Sequence, residues 1–338
     1  VAEKGEDAMS VRDEVLLLLE RRKGEYCSGE EIARQLFVTR NAVWKAVSSL
    51  RAQGYPIEAV TNRGYRLSEE GGIFSAQSVR RCLGADDGWF SVEVAETVTS
   101  TNTVLKERAA AGAPEGTVLI ARQQTGGRGR LGRSFASPRG TGLYTSILLR
   151  PKMRAEQALF LTTAVAVAVA EAIEEHSGKP AGIKWVNDIW IGGRKVCGIL
   201  TEASIDFESG GLEYAVVGWG INLVEPPGGF PGELRGIAGA VFDAPPSEEV
   251  QSRLIASTLR RFKRYYETFS ERAFWQGYCD RSILIGKEIT ILGAEQQNAL
   301  ALGIDGECRL RVRLENGEER LLSSGEVSVR PQTGERGE

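Results

Sequence analysis

Residues 123–133 read QQTGGRGRLGR. They lie in a forty-residue window, Gly116 to Ala155, that holds eight Arg or Lys and no Asp or Glu. Glycines at 126, 127, 129, 132, 140 and 142 loosen the same window. Backbone amides freed by glycine, together with guanidinium groups, can surround a carboxylate or a phosphate. The spacing Gly127-x-Gly129-x-x-Gly132 formally matches a dinucleotide fingerprint. The loop runs on through SFASPRG to another strand, however, with no helix after it and no acid about twenty residues on, so the fingerprint is rejected. No G-K-[ST] is present, so it is not a P-loop either. Taken alone, the stretch reads equally as a solvated basic loop or an Arg-Gly patch on RNA.

Outward from this loop the pattern is α/β. Strands are expected at 92–95, 116–122, 143–149, 183–185, 188–191, 196–202 and 214–222, with helices at 101–111, 158–176 and 247–269, making a mixed sheet with helices packed on it. The apolar stretch 158–173 carries Thr162, Thr163 and Glu171; it is too short and interrupted for a membrane span and reads as a buried helix. From Ile283 to Arg330 turn signals at Leu292-Gly293, Asp305-Gly306 and Asn316-Gly317 punctuate short strands, the mark of a small β-barrel domain. Residues 331–338 read as a disordered tail.

Upstream, residues 10–68 form a separate pattern. A helix at 11–22 places Val15, Leu18 and Leu19 at core spacing. Ser28-Gly29-Glu30-Glu31 is a capping box opening a short helix with Ile32, Ala33 and Leu36 inward. Thr39 caps a third helix with Ala42, Val43, Ala46, Val47 and Leu50 buried, ended by Gly54. Two short strands around Asn62-Arg63-Gly64 complete a winged helix-turn-helix. From Arg34 to Arg66 there are six basic residues and one acid, Glu58. Cations concentrated on the third helix and the wing suit phosphates, and Arg40, Asn41, Trp44, Lys45 and Arg63 are the expected DNA-binding residues. Protein contacts are the alternative use of such a module. Residues 69–75 read as a linker.

Composition narrows the function classes. The chain has 338 residues, 42% hydrophobic and 26% charged, with a net charge of −3, so it builds ordinary cores and any anion-binding surface is local. A single histidine, His176, argues against multi-histidine metal sites and reads as a helix-end residue. Five scattered cysteines with no C-x-x-C imply reduced thiols in a cytoplasmic protein. The charged start, VAEKGED, is not a secretory leader, and Met9 is a candidate natural start.

Five motifs occur in order: STN at 100–102, QTGGRGRLGR at 124–133, KWVND at 184–188, RKVCGILTE at 194–202 and GWGIN at 218–222. With a winged helix before them and a small barrel after, the chain resembles biotin protein ligases of the bifunctional kind that also repress the biotin operon. Departures from the family pattern are Gly126, Phe135, Val186, Cys197 and Trp219; none removes a charged or amide group, and they bear on pocket shape and loop stiffness. The resemblance implies an α+β chain: a winged helix-turn-helix over 1–70, a mixed-sheet catalytic domain of class II synthetase-like type over 71–281, an SH3-like barrel over 282–332, and a tail.

The implied reaction activates biotin with ATP, with Mg²⁺, to biotinyl-5′-AMP. Biotin is then passed to a lysine of a biotin carboxyl carrier protein of acetyl-CoA carboxylase, and an adenylate-bound homodimer acts on operator DNA. Arg128 and Arg130 are implied to hold carboxylate and phosphates, and Gly127 and Gly129 to allow close backbone approach. Lys195 is implied to contact the reacting oxygens, with Lys184 and Asp188 nearby and Asp188 orienting Lys195 or a Mg²⁺. Ser100, Thr101, Asn102 and Gln124 would read the ureido ring, Asn187 and Asn222 the nucleotide, and residues 225–238 would form the adenosine-side loop. Singly, Thr101–Asn102 is also a plain helix N-cap and Lys195 a plain strand-end lysine. The alternatives are a lipoate-type ligase and a biotin-sensing regulator without transfer activity.

Overall fold

A serine or threonine ahead of each helix of the N-terminal region fixes where it begins. The computed structural model describes residues 10–52, 55–68, 74–206, 208, 210–292 and 296–329. Ser10 caps α1 (Val11–Arg21), Ser28 caps α2 (Gly29–Gln35) and Thr39 Oγ1 accepts from the Ala42 amide at the start of α3 (Arg40–Ala52). The core of this region joins Val15, Leu16 and Leu19 to Ile32, Val43, Val47 and Leu50. The α1 stripe thus runs through Leu16, and Leu18, expected inside, packs on its flank; Ala42 is half-buried. Strands β1 (Ile57–Val60) and β2 (Gly64–Leu67) pair antiparallel as the wing. Gly54, expected to end α3, lies outside the described residues.

Helix α4 (Ala76–Leu83), not anticipated from the pattern, begins at a reciprocal box: Ser75 Oγ accepts from the Ser78 amide, and Ser78 Oγ accepts from the Ser75 amide. The chain divides into two compact units, one of residues 1–84 with 246–253 and one of 85–245 with 254–338. Of the expected linker, 69–73 lie outside the described residues, as do Gly293 and the 331–338 tail.

In the second unit β3 (Ser91–Ala95) runs parallel to β4 (Thr117–Ala121), with α5 (Thr101–Ala110) between them in the chain. β5 (Gly142–Leu149), α6 (Ala158–Ser177), β6 (Gly182–Lys184), β7 (Asp188–Ile191), β8 (Arg194–Ile205) and β9 (Leu212–Asn222) follow, then α7 (Glu248–Glu267), which belongs to this unit from Leu254 on, and α8 (Trp275–Asp280). The seven strands lie in the order β3-β4-β5-β9-β8-β7-β6, antiparallel except for the first pair. Every residue of β4 and of β5 is buried, as strands covered on both faces require. On one face Leu105 and Ala109 of α5 pack with Leu119, Leu148 and Val216. Against the other lies α6, whose Thr162 hydroxyl is 2.7 Å from that of Thr201. At twenty residues α6 runs one residue past the expected end, and with the preceding turn it is long and apolar enough to cross a membrane; 72% of its most apolar 18-residue stretch is buried in the protein.

The C-terminal strands β10 (Glu288–Leu292), β11 (Gln297–Ile304), β12 (Leu310–Leu314), β13 (Glu319–Leu322) and β14 (Glu326–Val329) form an antiparallel sheet in the order β13-β12-β11-β10-β14. Its β11–β12 turn is built by Asp305, whose carboxylate accepts from the Glu307 and Arg309 amides. Trp185 Nε1 donates to Cys308 O at 3.0 Å and Trp275 Nε1 to Asp305 O at 2.8 Å, which ties this sheet to the β6–β7 turn and to α8. Leu148 is fully buried between β-sheet and α5. Leu148→Ala should therefore cost about 2–5 kcal/mol, read as a lower urea midpoint for the second unit's unfolding.

Candidate active site and nucleic-acid interface

Strand β8 carries an irregularity that places its lysine. β7 and β8 pair Asp188 with Gly198 and Ile189 with Cys197, but then Trp190 with Lys195, passing over Val196. One extra residue reverses the side-to-side alternation. Lys195 therefore reaches the face of Asp188 and Gly198. Its Nζ lies 2.7 Å from Asp188 Oδ1, an ion pair rather than an aligned hydrogen bond. The Lys195 backbone is pinned as well, its amide donating to Ile237 O and its carbonyl accepting from the Gly239 amide, both at 2.8 Å. Lys184 is the register partner of Asp188, and its amine sits 5.2 Å from the centre of the Trp190 ring.

Three glycines keep this face bare. A Cβ on Gly218 would stand 2.0 Å from Asn102 Oδ1, and one on Gly220 would stand 2.5 Å from the Phe135 ring. At Gly198 it would meet the Phe135 ring at 3.1 Å and the Lys195 side chain at 3.2 Å. Phe135 and Lys195 thus converge over Gly198. Beneath, Cys197 is fully buried and desolvation pushes its thiol well above the ordinary range, so it stays protonated and inert.

The STN motif opens α5 and is buried at all three positions. Asn102 Nδ2 donates to Leu200 O at 3.2 Å and to Glu202 Oε2 at 3.0 Å, while its Oδ1 is 2.6 Å from Ser146 Oγ. Gln124 Oε1 accepts from the Thr101 amide at 2.9 Å and the Thr101 hydroxyl at 3.2 Å, and Gln124 Nε2 donates to Ser137 Oγ at 2.9 Å. Protein groups therefore occupy the Asn102 amide, whereas Gln124 keeps one N–H over. Ser100 is the N-cap residue of α5 and makes no capping bond with its side chain.

The basic loop folds back on itself. Gly129 N donates to Arg133 O at 2.7 Å and Phe135 N to Gly127 O at 2.9 Å, with a 3-10 turn at Arg130–Gly132 and Leu131 exposed at its tip. The close approach at Gly127 is to the Phe135 carbonyl, 2.3 Å from where a Cβ would stand. Arg130 Nη1 donates to Asn187 Oδ1 at 3.0 Å, and Asn187 Nδ2 to Ile199 O at 2.7 Å. Arg128 Nη1 lies 3.5 Å from Glu202 Oε1, the same oxygen that Lys106 Nζ reaches at 2.6 Å. Burial pushes the Glu202 carboxyl up, but hydrogen bonds from Lys106 and Asn102 and the charges of Lys106 and Arg128 outweigh it and hold the group below the usual glutamate range.

Beside these groups a cavity of about 290 Å³ is lined by Gln123, Gln124, Ser137, Thr141, Asn222 and Phe230, with three prolines and Ala136 completing the wall. It joins Gln124 to Asn222 and to the Pro/Gly loop. Asn222 Nδ2 donates to Gly239 O at 3.0 Å. Lys195, Asp188, Lys184, Arg128 and Arg130 lie outside that lining. Sequence reasoning missed Ser137, Ser146 and Lys106, and quoted Glu202 without giving it a role. Lone serines and a helix lysine carry no spacing signal. Among the described residues no three His, Cys, Asp or Glu side chains gather to hold a metal.

In the first unit Arg40, Asn41, Trp44 and Lys45 all face outward from α3, with Trp44 57% exposed. On the wing the Arg63 guanidinium lies 5.0 Å, and that of Arg66 4.7 Å, from the Tyr26 ring centre. Arg66 pairs with Glu58 at 2.7 Å, and the Tyr26 hydroxyl donates to Glu58 at 2.8 Å. Glu58 therefore neutralises part of the wing's charge and leaves Arg63 and α3 as its cationic face.

A helix-turn-helix module, a mixed sheet carrying an anion-seeking loop, and a small β-domain define the class. Residues 94–222 match the Biotin/lipoate A/B protein ligase family, residues 11–66 an HTH domain and residues 284–330 the Biotin protein ligase C terminal domain. The chain belongs to the biotin protein ligase family, in its bifunctional ligase/repressor form. It is 34% identical over 325 residues to the bifunctional ligase/repressor BirA of Bacillus subtilis, covering 93% of this chain and 98% of that one. It is 30% identical over 252 residues to the biotin–[acetyl-CoA-carboxylase] ligase of Mycobacterium tuberculosis, 72% of this chain and 91% of that protein. The solved structure of the biotin protein ligase from Aquifex aeolicus in complex with biotin and ATP matches with a TM-score of 0.58 and 30% identity, covering 71% of this chain and 98% of that one.

The depressed Glu202 pKa gives a stability term that is present above the ordinary value of 4.5 and lost as pH falls through the folded value. Lys106→Met removes the strongest of the partners that lower it. Its deficit in urea midpoint should correspond to about 1 kcal/mol at neutral pH and shrink as the pH falls below 4.5 and Glu202 becomes protonated.

Proposed function

We propose that the second unit condenses biotin with ATP to biotinyl-5′-AMP and passes biotin to a carrier lysine, and that the first unit uses the adenylate-bound state to repress transcription. The observation that carries the reading is the convergence of Lys195 and Phe135 over Gly198 beside Asp188. In the first step a biotin carboxylate oxygen bonds to the α-phosphorus of ATP and pyrophosphate leaves. In the second a neutral lysine amine of the carrier bonds to the acyl carbon and AMP leaves, taking the electron pair of the broken C–O bond, while the amine's proton passes to solvent. Both steps gather negative charge on oxygen, so fixed cations and positioning supply the rate.

Lys195 is the cation at the reacting oxygens, and Asp188 and the bulge hold its amine in place. Lys184 adds a further positive charge on the same strand pair. Arg128 and Arg130 hold the carboxylate and phosphates, with Gly127 and Gly129 shaping the loop around them. Ser100, Thr101, Asn102 and Gln124 form the ureido side, with Gln124 meeting the ring directly and Asn102 keeping the neighbouring strands in register. Asn187 steadies Arg130 at the nucleotide, and Asn222 with the 225–238 loop closes the adenosine side. Mg²⁺ would arrive with the triphosphate and offset its charge, and the Asp188 carboxylate would be the protein group to hold it.

The carrier substrate is the biotin carboxyl carrier protein of acetyl-CoA carboxylase, the latter being the enzyme that the mycobacterial relative's name gives as its acceptor. The work divides near residues 70 and 281, among DNA reading, catalysis and the C-terminal sheet. The protein acts in the cytoplasm, in keeping with its free cysteines.

Lys195→Ala should lower biotin-dependent ATP–pyrophosphate exchange by about 10²–10³-fold with an unchanged circular dichroism spectrum. Near-normal exchange would remove Lys195 from the reaction. Exchange supported by lipoate and not by biotin would overturn the substrate, and adenylate formed without transfer to a carrier domain would favour a pure sensor. For the repressor role, biotin plus ATP should shift the full chain to a dimer on gel filtration. Lys45→Ala should then reduce the slope of log affinity against log salt on biotin-gene promoter DNA by about 1. A monomer under all conditions, or an unchanged slope, would count against it.

A further inference from the structure

Glu202 stands where three functional segments meet. Its strand holds it beneath α5 and beside the basic loop, and its two oxygens serve three partners of unequal strength. Lys106 Nζ is at 2.6 Å and Asn102 Nδ2 at 3.0 Å, whereas Arg128 Nη1 is at 3.5 Å. The carboxylate is sunk, with 19% of its side chain exposed, while Arg128 is 49% exposed. Two partners are therefore firm and one is loose, and a loose, half-exposed ion pair is worth little and exchanges readily. Being held below the usual range, Glu202 is ionised at neutral pH.

We propose that Glu202 is a positioning residue that parks Arg128 in the ligand-free enzyme, so that the basic loop engages only when an incoming carboxylate takes Arg128 away from it. The inference rests on the reading of Arg128 as a holder of the biotin carboxylate. Lys106 sets the strength of the parking. It shares the Oε1 oxygen with Arg128, so it weakens the hold of Glu202 on the arginine and lets a ligand carboxylate compete. Asn102, anchored to the other oxygen, keeps Glu202 from following the arginine out. The charge that competes with the ligand is thus fixed in the scaffold and tuned by a neighbouring helix, and neutral ligand parts do not sense it.

Two substitutions should act with opposite sign. Glu202→Gln keeps the shape and an acceptor for Asn102 but removes the competing charge. It should lower the KM for biotin in pyrophosphate exchange by about 3- to 10-fold at saturating MgATP. Lys106→Met leaves the full carboxylate charge to Arg128 and should raise that KM by a similar factor. Binding of biotinamide, which lacks the anion, should be unchanged in both, and both effects should vanish in an Arg128→Ala background. Shifts in the same direction for the two variants, equal shifts for biotinamide, or effects that persist without Arg128 would overturn the parking role. An unchanged biotin KM in Arg128→Ala alone would instead refute the reading of Arg128 itself, and the parking role with it.

Discussion

A strip of two central strands without side chains is the constraint on which the site depends. Gly198 in β8 and Gly218 and Gly220 in β9 lie side by side in the register, Gly198 opposite Gly220. Nothing projects from them, so groups from distant parts of the chain come to van der Waals distance of the sheet: Asn102 from α5, Ser146 from β5, Phe135 from the basic loop and Lys195 from the bulge. A methyl group at Gly218 or Gly220 would collide with one of them. The opposite face of the same strands bears Ile199, Trp219 and Ile221 and builds the core under α6. The two strands thus have one side packed along its length and another that α5 packs at Val216 and the glycines leave open further along, a division that strand alternation makes possible.

That division explains what could be read in advance. Motifs written as contiguous residues, such as the acid-free loop, STN or the run from Lys184 to Glu202, announce themselves because their spacing is their chemistry. The winged helix was legible for the same reason: caps and apolar periodicity are local, and the shift from Leu18 to Leu16 concerns only which edge of one stripe faces inward. What could not be read is anything set by pairing across the sheet. A skipped register at Val196 leaves no mark in the sequence, yet it decides that Lys195 and Asp188 share a face, a pairing that only the family resemblance had implied. Ser146 and Ser137 are ordinary polar residues until α5 and the loop are laid over them. Helix α4 was missed because its eight residues follow a stretch rich in Glu and Gly and show too few turns for periodicity to register.

Charge shows the same dependence on placement. The chain as a whole is slightly acidic, with forty-two basic and forty-five acidic residues. On the wing, Glu58 takes up Arg66 and the Tyr26 hydroxyl and leaves Arg63 stacked on the tyrosine ring. Counting basic residues along the segment therefore overstates the field a phosphate would meet. The arrangement trades one cation for a wing whose remaining arginine is held against an aromatic face, which limits the rotamer freedom lost on binding.

The catalytic unit carries this logic further. The cations nearest the site have internal partners: Lys195 has Asp188, Arg128 and Lys106 share Glu202, and Arg130 has the Asn187 side-chain oxygen Oδ1. Bringing several like charges together with no partner would strain the fold by mutual repulsion, and leaving them fully hydrated would make their desolvation by ligand costly. Internal partners meet both demands, because a ligand anion exchanges one charged contact for another instead of creating a new one from water. Such exchange makes binding weaker than an unpartnered cluster would give. In return, the cations are aimed before the substrate arrives, and the reacting oxygens then enter a field that needs little rearrangement as charge develops on them.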